Sequence, residues 1–304
     1  MKKRKNILLL LLAMLLTISL GLAGCEKKPV ETAGDKDGKF VVVTSFYPLY
    51  VFTENIVQGI DGIELKNLTE PQTGCLHDYQ MKPADMIALE KADLFIINGA
   101  GMESFLDKVR KTYPDLKIVE ASEGIQLLKD AAGIANPHVW VSISNGEKEI
   151  ENIAKAMAGA FPREKEKLEK NKEDYLKKID SLRIEMFEGL KKYAGKKIVT
   201  FHEAFPYFAE EFALEIAAVV EREPGSEPSA AELAQTIDIV KASGIKSLFA
   251  EPQYSSRSAE VISRETGAKV FYLDPFVTGE AGQDKDAYEK VMRNNMEVLK
   301  EALE

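Results

Sequence analysis

The chain of 304 residues contains three histidines, His77, His138 and His202, and none of them falls on a helix face. His77 lies in Thr69–Gln80 (TEPQTGCLHDYQ), a stretch full of turn residues. His138 follows Asn136-Pro137, and His202 ends the strand-like segment Lys197–Phe201. Ligand-binding side chains of parallel α/β sheets gather at the C-terminal ends of strands, and histidine is the commonest metal ligand. A lone histidine at such a place would be an ordinary surface or core residue with a satisfied ring. Three of three at such places is hard to reconcile with chance and points to metal binding. Other chemistries lack their motifs: there is no H-E-x-x-H pair, no G-x-S-x-G elbow and no P-loop. Gly99-Ala100-Gly101 is only a fragment of a phosphate-cradling loop. A Ser–His–Asp triad is defined by geometry rather than spacing and stands as a lesser alternative.

These histidines need a scaffold, and Pro162–Tyr193 organises it. There is no Gly or Pro between Pro162 and Gly189, and Leu168, Tyr175, Ile179, Leu182, Met186 and Leu190 recur at helical steps. One apolar stripe on an otherwise charged helix of roughly 30 residues, about 45 Å long, suits a rigid element joining two lobes. A coiled-coil seam would need a stricter and longer heptad repeat. On either side the chain looks alike. Phe40–Thr44 (FVVVT) runs into SFYPLYVFTENIV, and Lys197–Thr200 (KIVT) runs into FHEAFPYFAEEFA, with Pro48 and Pro206 opening the helices. Further strands are expected at Ile63–Leu68, Leu94–Asn98, Lys117–Glu120, Ile216–Val220, Ile245–Ala250 and Lys269–Leu273. Helices are expected at Pro83–Lys91, Met102–Lys111, Gly146–Gly159, Glu203–Phe212, from the capping box at Ser229 to Ala242, Ser256–Thr266 and Asp286–Leu303. Asn136–Trp140 reads as a turn into a short extended piece. This alternation predicts an α/β fold: two βα lobes with parallel sheets joined by a long rigid helix. The lobes are placed at residues 40–160 and 194–304, with the joining helix at 161–193.

Residues 1–24 are expected to be a signal peptide rather than fold. Lys2, Lys3, Arg4 and Lys5 precede an apolar run from Ile7 to Leu20, too short for a spanning helix, and Leu22-Ala23-Gly24-Cys25 follows. That sequence resembles a bacterial lipobox, which implies cleavage before Cys25 and a lipid on its thiol. Residues 25–39 would tether a folded domain to a membrane face. Loss of the four positive charges takes the formal charge from −9 to −13. Such acidity argues against nucleic acid and anionic lipid surfaces as partners. With Cys25 lipidated, Cys75, the only other cysteine, has no disulfide partner.

Gly74-Cys75-Leu76-His77-Asp78-Tyr79-Gln80 with Lys82-Pro83-Ala84-Asp85 resembles the first-histidine motif of the zinc/manganese substrate-binding proteins of bacterial ABC transporters. Asn136-Pro137-His138-Val139-Trp140 resembles their second motif and Thr200-Phe201-His202-Glu203-Ala204-Phe205 their third. Glu227-Pro228-Ser229 is similar to their inter-lobe loop, and Glu251-Pro252-Gln253-Tyr254 with Leu273-Asp274-Pro275 to their fourth region. The order of motifs is kept from about Val42 to the C-terminus. The resemblance implies a metal held between the lobes by His77 and His138 from one and His202 and Asp274 from the other. Three imidazoles and a carboxylate suit Zn²⁺, whereas a carboxylate in place of His202 would favour Mn²⁺, the alternative cargo. Glu203, Glu251 and Cys75 compete with Asp274 for the fourth place. Asp78, Glu221, Glu223 and Glu227 are candidates to accept the second N–H of a ligating histidine. Trp140 and Phe205 are expected to pack around the site. No histidine lies between His77 and His138, so the His-rich loop of some zinc-specialised relatives is missing.

The expected function is that of an extracytoplasmic, lipid-anchored receptor, not an enzyme, acting as a monomer. It would capture zinc and deliver it to an ABC permease driven by a cytoplasmic ATPase, with small lobe movements on binding. Two rivals belong to other classes: a zinc hydrolase using Glu203 as base beside His202, and an adhesin lipoprotein.

Overall fold

The computed structural model describes residues 38–69, 74, 76, 79–130, 132–220 and 228–304. The signal segment, Cys25, most of the tether, Cys75, His77, Asp78, Glu221, Glu223 and Glu227 lie outside the described residues.

The first lobe is built on a four-stranded parallel sheet of β1 (Phe40–Thr44), β2 (Ile63–Asn67), β3 (Leu94–Ile97) and β4 (Lys117–Glu120), in the order β2-β1-β3-β4. β1, apolar but for Thr44 at its end, and β3, apolar throughout, are wholly buried, as central strands covered on both faces must be, while the edges β2 and β4 are partly exposed. The second lobe repeats this plan with β5 (Lys197–Thr200), β6 (Glu215–Val219), β7 (Ser247–Ala250) and β8 (Lys269–Tyr272), in the order β6-β5-β7-β8. The two halves of the chain therefore share one topology, as their short sequence echo suggested. In each sheet the chain leaves the first strand toward one edge and later returns on its other side. The crevice opened between the C-terminal ends of the two central strands is where such sheets bind ligands.

The helices α1 (Tyr47–Ile56), α2 (Pro83–Glu90), α3 (Leu106–Thr112) and α4 (Ile143–Ala160) belong to the first lobe. α5 (Lys165–Leu190) is the long joining helix. α6 (Pro206–Glu211), α7 (Ala230–Ser243), α8 (Arg257–Thr266) and α9 (Ala287–Leu303) follow. α5 spans 26 residues, about 39 Å, with 3₁₀ turns at Pro162–Glu164 and Lys191–Tyr193 extending it at both ends. All six apolar residues of its expected stripe are buried, and the helix packs on α1, α4 and α9. At Gly189 a side chain would meet the Met296 sulfur at 2.6 Å, so this glycine permits the close approach of α5 and α9. α9 also contacts β8 and α1, so it straps the second lobe onto the first. Asn55 of α1 donates to the carbonyl of Lys285 at 2.9 Å, and Phe52 packs edge-on against Tyr288 with centroids 5.1 Å apart.

Three of the differences between expected and observed elements have a local cause. The stretch after Asn136-Pro137-His138 is a 3₁₀ turn, Val139–Val141, rather than an extended piece. The Asn136 carboxamide bonds back to His138 and the Pro137 carbonyl accepts from Val139, which curls the chain and buries all three apolar side chains. The helix expected from Met102 starts at Leu106, because the Glu103 carboxylate turns back to accept from the backbone N–H of Asn98 and Gly99. The helix expected from Glu203 starts at Pro206, which lacks an N–H and suits a first helical position.

Candidate metal centre

His202 stands two residues beyond β5, and Glu251 directly follows β7. Because β5 and β7 are neighbours in the sheet, the topology delivers the two side chains to one point of the crevice. His202 Nδ1 lies 3.1 Å from Glu251 Oε1, and both residues are buried. Burial pushes the Glu251 carboxyl above its ordinary range, the hydrogen bond and charge of His202 pull it back, and the Asp274 charge raises it further. With the carboxylate accepting from Nδ1–H, the imidazole carries its lone pair on Nε2.

His138 approaches from the first lobe. The Asn136 carboxamide oxygen accepts from the His138 backbone N–H at 2.9 Å and lies 3.0 Å from its Nδ1. On its other side the same carboxamide donates from Nδ2 to the carbonyl of Glu203 at 2.8 Å. A backbone carbonyl only accepts, so the amide's orientation is set and its oxygen faces the imidazole. Nδ1 of His138 must then be the protonated nitrogen, and Nε2 the one with a lone pair. The two rings stand nearly perpendicular, at 87°, with centroids 4.6 Å apart. Trp140 flanks His138 at 5.3 Å and is fully buried; its indole N–H donates to the carbonyl of Pro275 at 2.7 Å. Phe205 is buried beside Phe208, 6.2 Å from it.

Several further contacts hold the His138 segment to the second lobe. Tyr207 donates from its hydroxyl to the carbonyl of Asn136 at 2.7 Å and accepts from the N–H of Leu128 at 2.9 Å. The Tyr288 hydroxyl donates to the carbonyl of Trp140 at 2.8 Å. Glu211 accepts from the N–H groups of Ile143 and Ser144 at the start of α4, at 2.7 and 3.1 Å, and from the Ser144 hydroxyl at 2.6 Å. Those helix-end donors have no partner within their own helix, so the carboxylate of the second lobe caps a helix of the first.

Asp274 follows β8 and is partly buried. One oxygen, Oδ1, accepts from Gln253 Nε2 and from the backbone N–H of Phe276, each at 2.8 Å, and the electrostatic influence of this carboxylate reaches Glu251. The Asp274 backbone is clamped by Asn295, which accepts from its N–H at 2.9 Å and donates to its carbonyl at 2.8 Å. Gly74, three residues before His77 in the sequence, has φ +102° and abuts the Tyr254 ring: a side chain there would meet the Tyr254 hydroxyl at 2.5 Å. Tyr254 in turn stands edge-on to His202 with centroids 6.0 Å apart. Leu76 is fully buried in the first lobe's core, and Tyr79 donates to Asp85 at 2.7 Å.

The structure thus brings His138, His202 and Glu251 together, with Asp274 nearby. Among the described residues no three His, Cys, Asp or Glu side chains form a group able to hold a metal ion. Asn136 and Glu251 lie against Nδ1 of the two rings, while Asp78, Glu221, Glu223 and Glu227, the candidates for such a role, lie outside the described residues. For Glu251 the missing signal was strand order; for Asn136 it was the turn that folds its carboxamide onto the ring two residues later. Two neutral imidazoles presenting Nε2 suit a borderline divalent ion such as Zn²⁺ or Ni²⁺.

Two parallel-sheet lobes on a rigid helix, with histidines from both lobes meeting where the sheets open, define a two-lobed metal-binding receptor fold. Residues 42–302 match the family ZnuA, described as zinc-uptake complex component A, periplasmic. The high-affinity zinc uptake system protein ZnuA of Bacillus subtilis is 31% identical, the match covering 93% of this chain and 93% of that protein. The zinc-binding lipoprotein AdcA of Streptococcus pneumoniae is 31% identical over 87% of this chain and 56% of its own length, so the chain spans about half of AdcA. The Zn(II)-bound crystal structure of AdcA aligns with a TM-score of 0.75 at 31% identity, covering 88% of this chain and 58% of that one. The binding protein FpvC of P. aeruginosa, solved with Ni²⁺, aligns with a TM-score of 0.78 at 29% identity over 87% of this chain and 97% of that one. The chain belongs to the ZnuA family of periplasmic substrate-binding receptors. Among the described residues, no helix is long and apolar enough to cross a membrane.

Proposed function

We propose that the protein captures Zn²⁺ outside the cytoplasmic membrane and delivers it to an ABC permease powered by a cytoplasmic ATPase. The observation that carries this reading is the meeting of His138 and His202, one from each lobe, with centroids 4.6 Å apart and the Nδ1 of each held by an oxygen. His77 and Asp274 complete the ligand set, giving three imidazoles and a carboxylate. An ion closed in by four protein ligands suits transport, since a catalytic zinc keeps one position for water. Zinc is favoured over manganese because His202 supplies nitrogen where a carboxylate would favour the harder ion. The names of the zinc-uptake relatives support the same cargo.

Residues 1–24 act as the export signal, Cys25 carries the lipid, and residues 25–39 form the tether. Lobes at 40–160 and 194–304 are joined by the helix of 161–193. The lipoprotein name of AdcA supports the anchor. The receptor works as a monomer, without catalysis, and the ties between the lobes support release by a small parting imposed by the permease.

Zinc and manganese titrations of the metal-stripped protein against a chromogenic chelator test the reading. One zinc per chain is expected, tighter than manganese, lost in His202→Ala and weakened in Asp274→Ala. Binding indifferent to His202 would sink it.

A further inference from the structure

We infer that Asn136 is a positioning residue of the metal site: its carboxamide selects the His138 tautomer that presents Nε2 to the ion. This rests on the receptor reading above for its purpose, though not for its geometry. Every polar group of Asn136 is engaged. Its N–H donates to the carbonyl of Leu128 at 2.8 Å, and its carbonyl accepts from Tyr207 at 2.7 Å. Its Nδ2 donates to the carbonyl of Glu203 at 2.8 Å, and its Oδ1 faces the N–H and Nδ1 of His138 at 2.9 and 3.0 Å. Turning the amide over would set an NH₂ against the His138 N–H and an oxygen against the Glu203 carbonyl, losing both contacts at once. The acceptor is therefore fixed toward the imidazole before any ion arrives.

A free neutral imidazole exchanges its proton between two nitrogens, and only the form with the proton on Nδ1 has its lone pair on Nε2. An acceptor held 3.0 Å from Nδ1 removes that choice. It also holds the ring plane, which a ligand bonded through a single side-chain torsion would otherwise be free to turn. The contact to Glu203 reaches the residue next to His202, so the group that orients one histidine is anchored on the loop that carries the other. His202 is treated differently, its Nδ1 facing the Glu251 carboxylate. One imidazole is thus oriented by a neutral oxygen and the other by an acidic one.

Two variants of the full chain separate this role from simple packing. Asn136→Ala removes the acceptor, while Asn136→Asp keeps an oxygen of the same reach against Nδ1, at the cost of the donor to Glu203, whose carbonyl then faces a carboxylate oxygen, and of an added negative charge. With three histidines in the chain, ring ¹⁵N shifts of the metal-free protein report the tautomer of each. The expected result is that Asn136→Ala loses the Nδ1–H form at His138 and weakens zinc by about 10- to 100-fold. Asn136→Asp keeps that form and binds zinc far better than Asn136→Ala, because an acceptor on Nδ1 is all that tautomer selection requires. An Asn136→Ala protein with unchanged tautomer and zinc affinity would overturn the proposal. So would an Asn136→Asp protein as impaired as Asn136→Ala, since the donor to Glu203 would then be what matters. Should Asn136→Ala fail to fold, the near-isosteric Asn136→Asp still decides, its His138 shifts either keeping or losing the Nδ1–H form. If the unaltered protein bound no zinc, the receptor reading would fall, and the ¹⁵N shifts would still judge the positioning role.

Discussion

His202 Nδ1 and Glu251 Oε1 are 3.1 Å apart in a place where the side chains are only 2% and 1% exposed. An imidazole whose outer nitrogen meets a carboxylate is a stronger and better-oriented ligand, and loss of such a partner typically costs 10- to 100-fold in metal affinity. Glu251→Gln is accordingly expected to weaken zinc by about tenfold or more in a chelator competition. Burial raises the Glu251 carboxyl, which means its charge is unfavourable in the folded protein. The same substitution should therefore leave the melting temperature of the metal-free protein unchanged or higher. Loss of affinity without loss of stability marks a residue kept for the ion.

A second group of buried acids sets the response to pH. Glu103 and Glu289 are each pushed up to about 7 by burial, Glu103 despite donors from Ser45, Asn98 and Gly99. Glu149 is raised well above the ordinary range by burial and by the Glu103 charge, and neither of its oxygens has a hydrogen-bond partner among the described residues. In the folded protein these groups hold protons that the unfolded chain has already released, so the native state binds more protons across that window. Their contribution to stability is then full at and below about pH 4.5 and is lost as pH rises, toward about 7 for Glu103 and Glu289 and further for Glu149. Glu149→Gln removes the most isolated of the three carboxylates. At pH 8 it should raise the melting temperature by several degrees, on the order of 1–3 kcal/mol, with the gap narrowing toward pH 5. A gap that widened on acidification would contradict the assignment.

Much of the scaffold was legible because its signals are periodic. The stripe from Leu168 to Leu190 is buried residue for residue, and FVVVT and KIVT are the buried central strands β1 and β5. The capping box Ser229–Glu232 opens α7 as read, with reciprocal bonds of 2.8 and 3.3 Å. His138 and His202 could be paired because both sit where chain leaves regular structure. What stayed hidden depends on proximity that periodicity does not encode. Glu251 reaches His202 only because β7 lies beside β5, and nothing local in either segment states that neighbourhood. The curl at Val139–Val141 likewise follows from a carboxamide bond two residues earlier rather than from the strand-like appearance of Val-Trp-Val.

The segment bearing His77 offers its own test through Gly74. Its φ of +102° is costly for any residue with a side chain, and an added methyl would press on Tyr254, which stands edge-on to His202. Gly74→Ala is expected to push residue 74 away from Tyr254 and weaken zinc by about tenfold, an effect on the order of 1.4 kcal/mol. Stability should change less, since the core contact of Leu76 is untouched. Measuring zinc affinity beside the melting curve separates the two; equal losses in both would mean that the glycine serves the fold alone.

The last prediction concerns motion. Asn136 to Glu203, Tyr207 to Asn136, Trp140 to Pro275 and Glu211 to the start of α4 all tie the segment from Asn136 to Ser144 to the second lobe. α5 and α9 brace the same joint from behind, with their buried faces against each other. A hinge that closed widely on its ligand would have to break these bonds, and each buried one left unmade costs about 1–3 kcal/mol. Zinc binding should therefore change the small-angle scattering profile little, in contrast to hinge-closing receptors. Glu211→Ala removes three acceptor contacts at once and exposes the N-terminal donors of α4, at an expected cost of about 1–2 kcal/mol. Hydrogen exchange should then quicken first at Ile143 and Ser144, and the scattering profile should become sensitive to zinc. A clear contraction of the unaltered protein on binding zinc would show that these ties yield, and that α5 bends or the lobes pivot about it.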